Sequence, residues 1–205
     1  WESTLLTNQG GNDIFVAKLD TNGNTIWIKQ FGGTGDDIVS QIEVNNSGSC
    51  ILRCSSSGSS ITIGSTTLTS PASFYAKLDT DGNLVNAVVM PTPAYSTDID
   101  IDYTGAVYAA VKYGMPFSFA STPVDTSIKA IGAAILKYNN AGEAEWVKFI
   151  SLTDPETGIT PSASVLIESS DFDTSVNAIW AYNGYYTAAV TGFDPINFKY
   201  YGNLY

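Results

Sequence analysis

The chain has 205 residues, 44% of them apolar and 12% aromatic, enough to bury a sizeable core, while only 14% are charged. Twenty acidic residues against nine basic ones give a formal charge of −11, which repels phosphate backbones and acidic lipid headgroups and excludes nucleic acid as an expected partner. Histidine is absent, which removes the Ser-His-Asp and Cys-His catalytic arrangements and the usual zinc sites.

Ser, Thr, Asn and Gly must cover much of the surface, a habit of exported and virion proteins. The longest uncharged apolar run, Ala130 to Leu136, is far shorter than the roughly 20 residues a bilayer span needs, so no membrane span is expected. Residues 1–12 open on Trp1, lack a basic leader pattern and resemble the tail of a preceding repeat, so the stretch reads as an excerpt of a longer parent.

From residue 13 the chain reads as strands. "FVAKL" and "TIWIK" flank Asp20-Thr-Asn22-Gly-Asn24, a hairpin signal in which Gly23 takes positive φ and the Asp and Asn side chains bond back to nearby amides. Phe15, Ala17 and Leu19 are expected on one face and Val16, Ile26 and Ile28 on the other; such two-faced strands imply a sheet sandwiched between layers. "FGGTGDD" at 31–37 lacks the Gly-Lys-Ser/Thr of a phosphate loop and reads as a turn. In "SCILRCS", Cys50 and Cys54 share a strand face about 13 Å apart, too far for a mutual disulfide, and are expected to be buried free thiols.

The same text then returns. "FYAKLDTDGN" at 74–83 and "AILKYNNAGE" at 134–143 copy the first hairpin, and Lys18, Lys77 and Lys137 stand 59 and 60 residues apart. A second anchor is a turn glycine before an apolar run, at Gly48, Gly105 and Gly184; a third closes each copy in "SITIGSTTLTS", "PFSFASTPVDTS" and "PINFKYYGNLY". The expectation is all-β: three four-stranded antiparallel blades of about 60 residues at 13–72, 73–131 and 132–205, propeller-like in stacking. Lys-to-Gly spacing grows to 47 residues in copy three, which places a loop insertion near 150–174, with a strand of its own at "SASVLIES" and a protruding outline. Closed propellers have about four blades or more, so these three form a partial propeller, or one completed by further blades or further chains.

With "DIFVAKLDTNGNTIWIKQFGGTGDD", "VNNSGSCILRCSSS", "ITIGSTTLTS" and "FYAKLDTDGN" together, the chain resembles the seven-bladed β-propeller repeat proteins. The likeness is good in the first copy, partial in the second and loose in the third. It implies a stack of four-stranded blades and an extracytoplasmic, surface or virion setting, and brings no catalytic motif.

The candidate sites have structural readings beside them. The 20–24 and 79–83 turns look like clipped calcium loops, but the third oxygen residue and the position-12 glutamate of an EF-hand are missing, so hairpin turns are expected, with calcium the weaker alternative. Lys18, Lys77 and Lys137 share a face with Asp20, Asp79 and Asn139 and are expected to act as struts to a carboxylate rather than as an anion ring. Asp98, Asp100 and Asp102 are expected on one solvated strand face; they and Glu168, Asp171 and Asp173 are the cation alternatives. Asn45-Asn46-Ser47 is a formal glycosylation sequon. Trp27 and Trp146 read as core, and the tyrosines at 182, 185, 186, 200, 201 and 205 as packing or sugar-stacking residues. No pair of carboxylates is brought together by spacing, as a glycosidase requires. The expectation is a non-catalytic structural or interaction module without a cofactor, exposed on a cell surface or virion or in an extracellular assembly. Its partners are expected to be proteins or further copies of itself; the alternative is a glycan-binding adhesin.

Overall fold

The computed structural model describes residues 5–69, 71–92, 94–113, 118–120, 122–123, 132–153, 164–169, 176–181 and 187–191. The described residues are all-β, with no helix among them, and fall into two compact units, 1–90 and 91–205.

The first unit contains β1 (Ile14–Leu19), β2 (Thr25–Gly33), β3 (Asp37–Val44), β4 (Cys50–Ser56), β5 (Ser60–Ile63), β6 (Thr66–Thr69), β7 (Phe74–Leu78) and β8 (Leu84–Val89). They form two antiparallel sheets, in the orders β1-β2-β5-β6 and β3-β4-β7-β8. The closing "SITIGSTTLTS" stretch is itself the hairpin β5–β6, and it returns to the first sheet through Gly32↔Thr62 and Gly33↔Ile61.

Between the sheets lies one apolar layer. β1 and β2 contribute Ile14, Val16 and Phe31, and β5 adds Ile61 and Ile63; β4 and β7 answer with Cys50, Leu52, Cys54, Phe74, Ala76 and Leu78. The register pairs Ala17 with Ile28, so Ile28 shares the Phe15 face rather than the Val16 face expected from sequence; the inward face of the hairpin carries Ile14, Val16, Trp27 and Phe31. Alternation along a strand is fixed, but its phase across a hairpin depends on a bulge at Lys18/Leu19 that no residue type announces.

The second unit contains β9 (Tyr95–Ile101), β10 (Val107–Tyr113), β11 (Ser118–Phe119), β12 (Thr122–Pro123), β13 (Gly132–Tyr138), β14 (Ala144–Thr153), β15 (Ser164–Ser169), β16 (Val176–Ala181) and β17 (Thr187–Thr191). Its main sheet runs β9-β10-β13-β14, the same four-stranded body as β3-β4-β7-β8, with β17 added beyond β14. Two small hairpins, β11–β12 and β15–β16, complete the described part.

The three sheets match the four-stranded, propeller-like expectation, and the copies agree in detail. Each Asp/Asn hairpin carries its bulge at the same place, after Lys18, Lys77 and Lys137. Lys77 pairs with Ile51 and Lys137 with Tyr108, in each case the third residue after the turn glycine. The sheet boundaries, however, do not follow 13–72 and 73–131. β3–β4 of copy one pairs with β7–β8 of copy two, and β9–β10 of copy two with β13–β14 of copy three, so each sheet is knit from two consecutive copies.

In the 150–174 region β14 continues to Thr153, and the strand expected at "SASVLIES" is β15, paired with β16 and with Ile167 buried; residues 154–163 and 170–174 lie outside the described residues.

Candidate functional site

Lys18 and Trp27 face each other across β1–β2. Both donate to one acceptor, the Thr80 carbonyl of the second hairpin turn, at 3.1 Å from Lys18 Nζ and 3.0 Å from Trp27 Nε1. Lys29 Nζ adds a longer bond of 3.4 Å to Asn83 Oδ1. The turn also lies flat on the indole: a Cβ at Gly82 would come within 2.9 Å of the Trp27 ring. Thus the Lys strut to a carboxylate is replaced, in copy one, by a lysine and a tryptophan that hold the next copy's turn by its backbone. Main-chain carbonyls are invisible to motif reading, which is why this latch escaped it. In copy three, Lys137 and Trp146 hold the same cross-strand places; Lys137 does form an ion pair, 2.9 Å from Glu145 Oε2, and Trp146 packs on Tyr108.

The carboxylates of the turns are occupied. Asp20 Oδ1 accepts the amides of Asn22 and Asn24, both at 2.8 Å, while Asn24 Nδ2 donates to Oδ2 at 2.8 Å. Asp79 repeats this with Asp81 and Asn83, and Asn139 with Ala141 and Glu143. Hydrogen bonds from the Asn24 side chain and amide hold the Asp20 carboxyl below its usual range, and those from Asn83 do the same for Asp79. These are hairpin turns, and among the described residues no group of acidic or cysteine side chains is arranged to hold a metal ion.

Asp98 and Asp102 are buried rather than solvated, and Asp100 between them is half-buried. Asp98 is buried and its Oδ2 accepts the Ile167 amide at 2.7 Å, tying β15 to β9. Asp102, fully buried, accepts from the Thr104 and Ala106 amides through Oδ1 and from the Tyr108 hydroxyl through Oδ2. In copy one the residue at that place is Asn45, likewise buried, whose Oδ1 accepts the Ser47 and Ser49 amides. The sequon asparagine is therefore packed as a turn cap. Asp102→Ala should cost about 2–4 kcal/mol by orphaning buried donors, whereas Asp102→Asn, the choice made at 45, keeps Oδ1 and should cost about 1 kcal/mol; urea midpoints of the two variants check this.

Cys50 and Cys54 are free and buried, as expected from sequence. Burial, reinforced by the nearby Asp37 charge, pushes the Cys54 thiol up to about 12, and burial raises Cys50 as well. Tyr108 is raised in the same direction by burial and then by the Asp102 carboxylate, and Tyr138 by burial. Unfolded thiols ionise near pH 8.5 and tyrosines near 10. Between those values and the folded ones the unfolded chain holds fewer protons, so stability falls as pH rises. We expect chemical denaturation midpoints to decline steadily above about pH 8.5, with Cys54 resisting thiol reagents until the chain unfolds; alkali-insensitive midpoints would contradict this burial.

"FGGTGDD" is a crossing point of main chain. Gly11 donates to the Gly35 carbonyl and Asp37 to Asn12, and a Cβ on Gly33 would meet the Ser60 carbonyl. Beside it lies a shallow cleft of about 230 Å³ lined by Leu6, Asn8, Asp13, Phe15 and Gln30 among others. Asp13 Oδ2 there accepts from Gln30 Nε2 at 2.7 Å and from the Gln9 amide at 2.9 Å.

The cleft borders the outer face of the first sheet, which stands apart from its copies. Phe15 and Leu19 are 52% and 43% exposed, whereas their equivalents Phe74 and Leu78 are both at 0%, and Ala134 and Tyr138 in copy three are also buried. β1 is an edge strand as well, paired among the described strands with β2 alone, although β7 and β13 are interior strands. This uncovered face and edge had no sequence signal, because copies one and two spell it alike. No family model matches the chain, and no curated protein matches its sequence. The tyrosines at 182, 185, 186, 200, 201 and 205, together with Asp171 and Asp173, lie outside the described residues, as does the side chain of Glu168.

Proposed function

We propose that the chain is a non-catalytic interaction module, a scaffold of seven-bladed β-propeller-repeat kind that works in an assembly on a cell surface, on a virion or outside the cell. The observation that carries this reading is the exposure of Phe15 and Leu19 at positions that are core in the other two copies. A face of that composition is stable in water only at a cost, and large uncovered apolar faces mark sites of association. The low charge content and the Ser/Thr/Asn-rich surface support the extracellular setting.

A glycan-binding adhesin is the competing reading, and Phe15 beside Asn8, Asp13 and Gln30 has the right chemistry for one. A repeat lectin would carry such a pocket in each copy, yet the equivalents of Phe15 are buried. The test is a panel of glycans presented to the fluorescently labelled chain. Absence of saturable binding is expected; saturable binding to one glycan class that disappears in Phe15→Ala would replace the assembly reading with the adhesin one.

A further inference from the structure

We infer that the inserted strand β15 is a stopper: it captures β16 and covers one side of the third sheet, so that copy three does not begin a fourth sheet as copies one and two begin the second and third. The first observation is a change of strand partner. In copies one and two the strand before the turn glycine pairs with the strand after it, β3 with β4 around Gly48 and β9 with β10 around Gly105. Each such pair is half a sheet, completed by the Asp/Asn hairpin that comes next in the chain, β7–β8 or β13–β14. In copy three, β16 and β17 flank Gly184 in the same way, yet among the described strands they do not pair with each other. β16 pairs instead with β15 along its whole length, from Ser169↔Val176 to Ser164↔Ala181. β17 goes to the outer edge of β14. Its pairs there, Ser151↔Ala189 and Leu152↔Ala188, stand as far beyond Trp146 as Gly32↔Thr62 and Gly33↔Ile61 stand beyond Trp27, so β17 holds the seat that β5 holds in the first sheet. The Gly-turn half-sheet is thus taken apart, its two strands spent on the insertion and on the sheet already built.

The second observation is the side on which β15 lies. In the first sheet, the face of Lys18 and Trp27 receives the following sheet. The matching face of the third sheet runs across the ladder through Asp100, Tyr108, Lys137 and Trp146. β15 packs on β9 and β10, and the buried Ile167 donates its amide to Asp98 Oδ2 at 2.7 Å, on the same face as Asp100. The tie has no counterpart in copy one, where Gln41 stands at that place and donates to Glu43 of its own strand at 3.0 Å. Strand capture and face covering are separate contacts of one inserted hairpin, and both act against a further sheet. Stacked repeats need such a departure at a terminal unit, because an uncapped one presents an unsatisfied ladder and an apolar face to solvent.

The test offers the full chain the element it is built to refuse: a fluorescently labelled peptide of residues 73–90, the Asp/Asn hairpin of copy two, followed by anisotropy. The wild type should show no saturable binding. A chain in which residues 164–169 are replaced by Gly and Ser frees β16 to pair with β17 and should bind the peptide at least tenfold more tightly; a circular dichroism melt confirms that it folds. Saturable binding by the wild type overturns the inference, and so does a folded Gly/Ser chain that binds no better. Asp98→Asn is the milder variant should that chain not fold. It removes one of the two carboxylate acceptors, and hydrogen exchange of the β15 and β16 amides should then quicken at least tenfold while that of β10 stays as it was. Unchanged exchange in β15 and β16 would equally overturn the inference, since the hairpin would not be held down by Asp98.

Discussion

Phe74→Ala should destabilise the chain by about 3–5 kcal/mol, as for a large side chain lost from a packed core. Phe15→Ala, at the same place in the repeat, should stay within about 0.5 kcal/mol, the range of surface substitutions. Phe74 is fully buried in the layer between the first two sheets, in company with Leu52, Ile61 and Ile63, while half of Phe15 faces solvent. Two near-identical sequence contexts thus differ roughly tenfold in energetic weight. Urea unfolding of the isolated chain reads both values, at a concentration low enough to keep it dissociated. Equal costs would mean that the first sheet is covered as the second is, and would remove the basis for the open face.

Gly82→Ala should cost about 2–5 kcal/mol and Gly23→Ala only about 1–2 kcal/mol. Both glycines have left-handed backbones, with φ of +75° and +85°. A side chain there costs roughly 1–2 kcal/mol in either turn. Only Gly82 adds a collision, with the Trp27 ring, for which overpacking supplies about 1–3 kcal/mol more. The difference between the two variants isolates the latch from the turn. Trp27→Ala and Gly82→Ala together should cost less than the sum of the two single changes, because they share a contact and cannot be additive. Similar midpoints for the two glycine variants would show that the turn does not rest on the indole.

Turns and strands were legible in the sequence because their chemistry is local. Gly23, Gly82 and Gly142 with their flanking Asp and Asn fix the hairpins, and the Lys18, Lys77 and Lys137 spacing fixes the period. Partner choice was not legible. Nothing in "SCILRC" states that β4 will pair with the hairpin of the following copy and not with its own, since ladder bonds are made by main chain common to every residue. The acidic trio at 98–102 misled for a related reason. Asp98 and Asp102 are tolerated in the interior by backbone amides from Ile167 and Ala106, donors that have no letter of their own. Trp27 was rightly placed as a packing residue, but its indole N–H finds a carbonyl in another sheet, a contact across 53 positions of chain.

The offset between sheets and repeats bears on how such a chain can be lengthened or shortened. The unit that is copied in the gene is not the unit that folds: a cut at a copy boundary, for instance between residues 72 and 73, splits β3–β4 from β7–β8 and leaves a half-built sheet on each fragment. Excising one whole period, by contrast, fuses a Gly-turn hairpin to an Asp/Asn hairpin that already presents the matching register, Lys77 against Ile51 in one place and Lys137 against Tyr108 in the other. Interlocking of this kind makes inheritance by whole periods viable and ragged truncation lethal to the fold, so the length of an array can drift while the seam between neighbours is conserved by geometry alone.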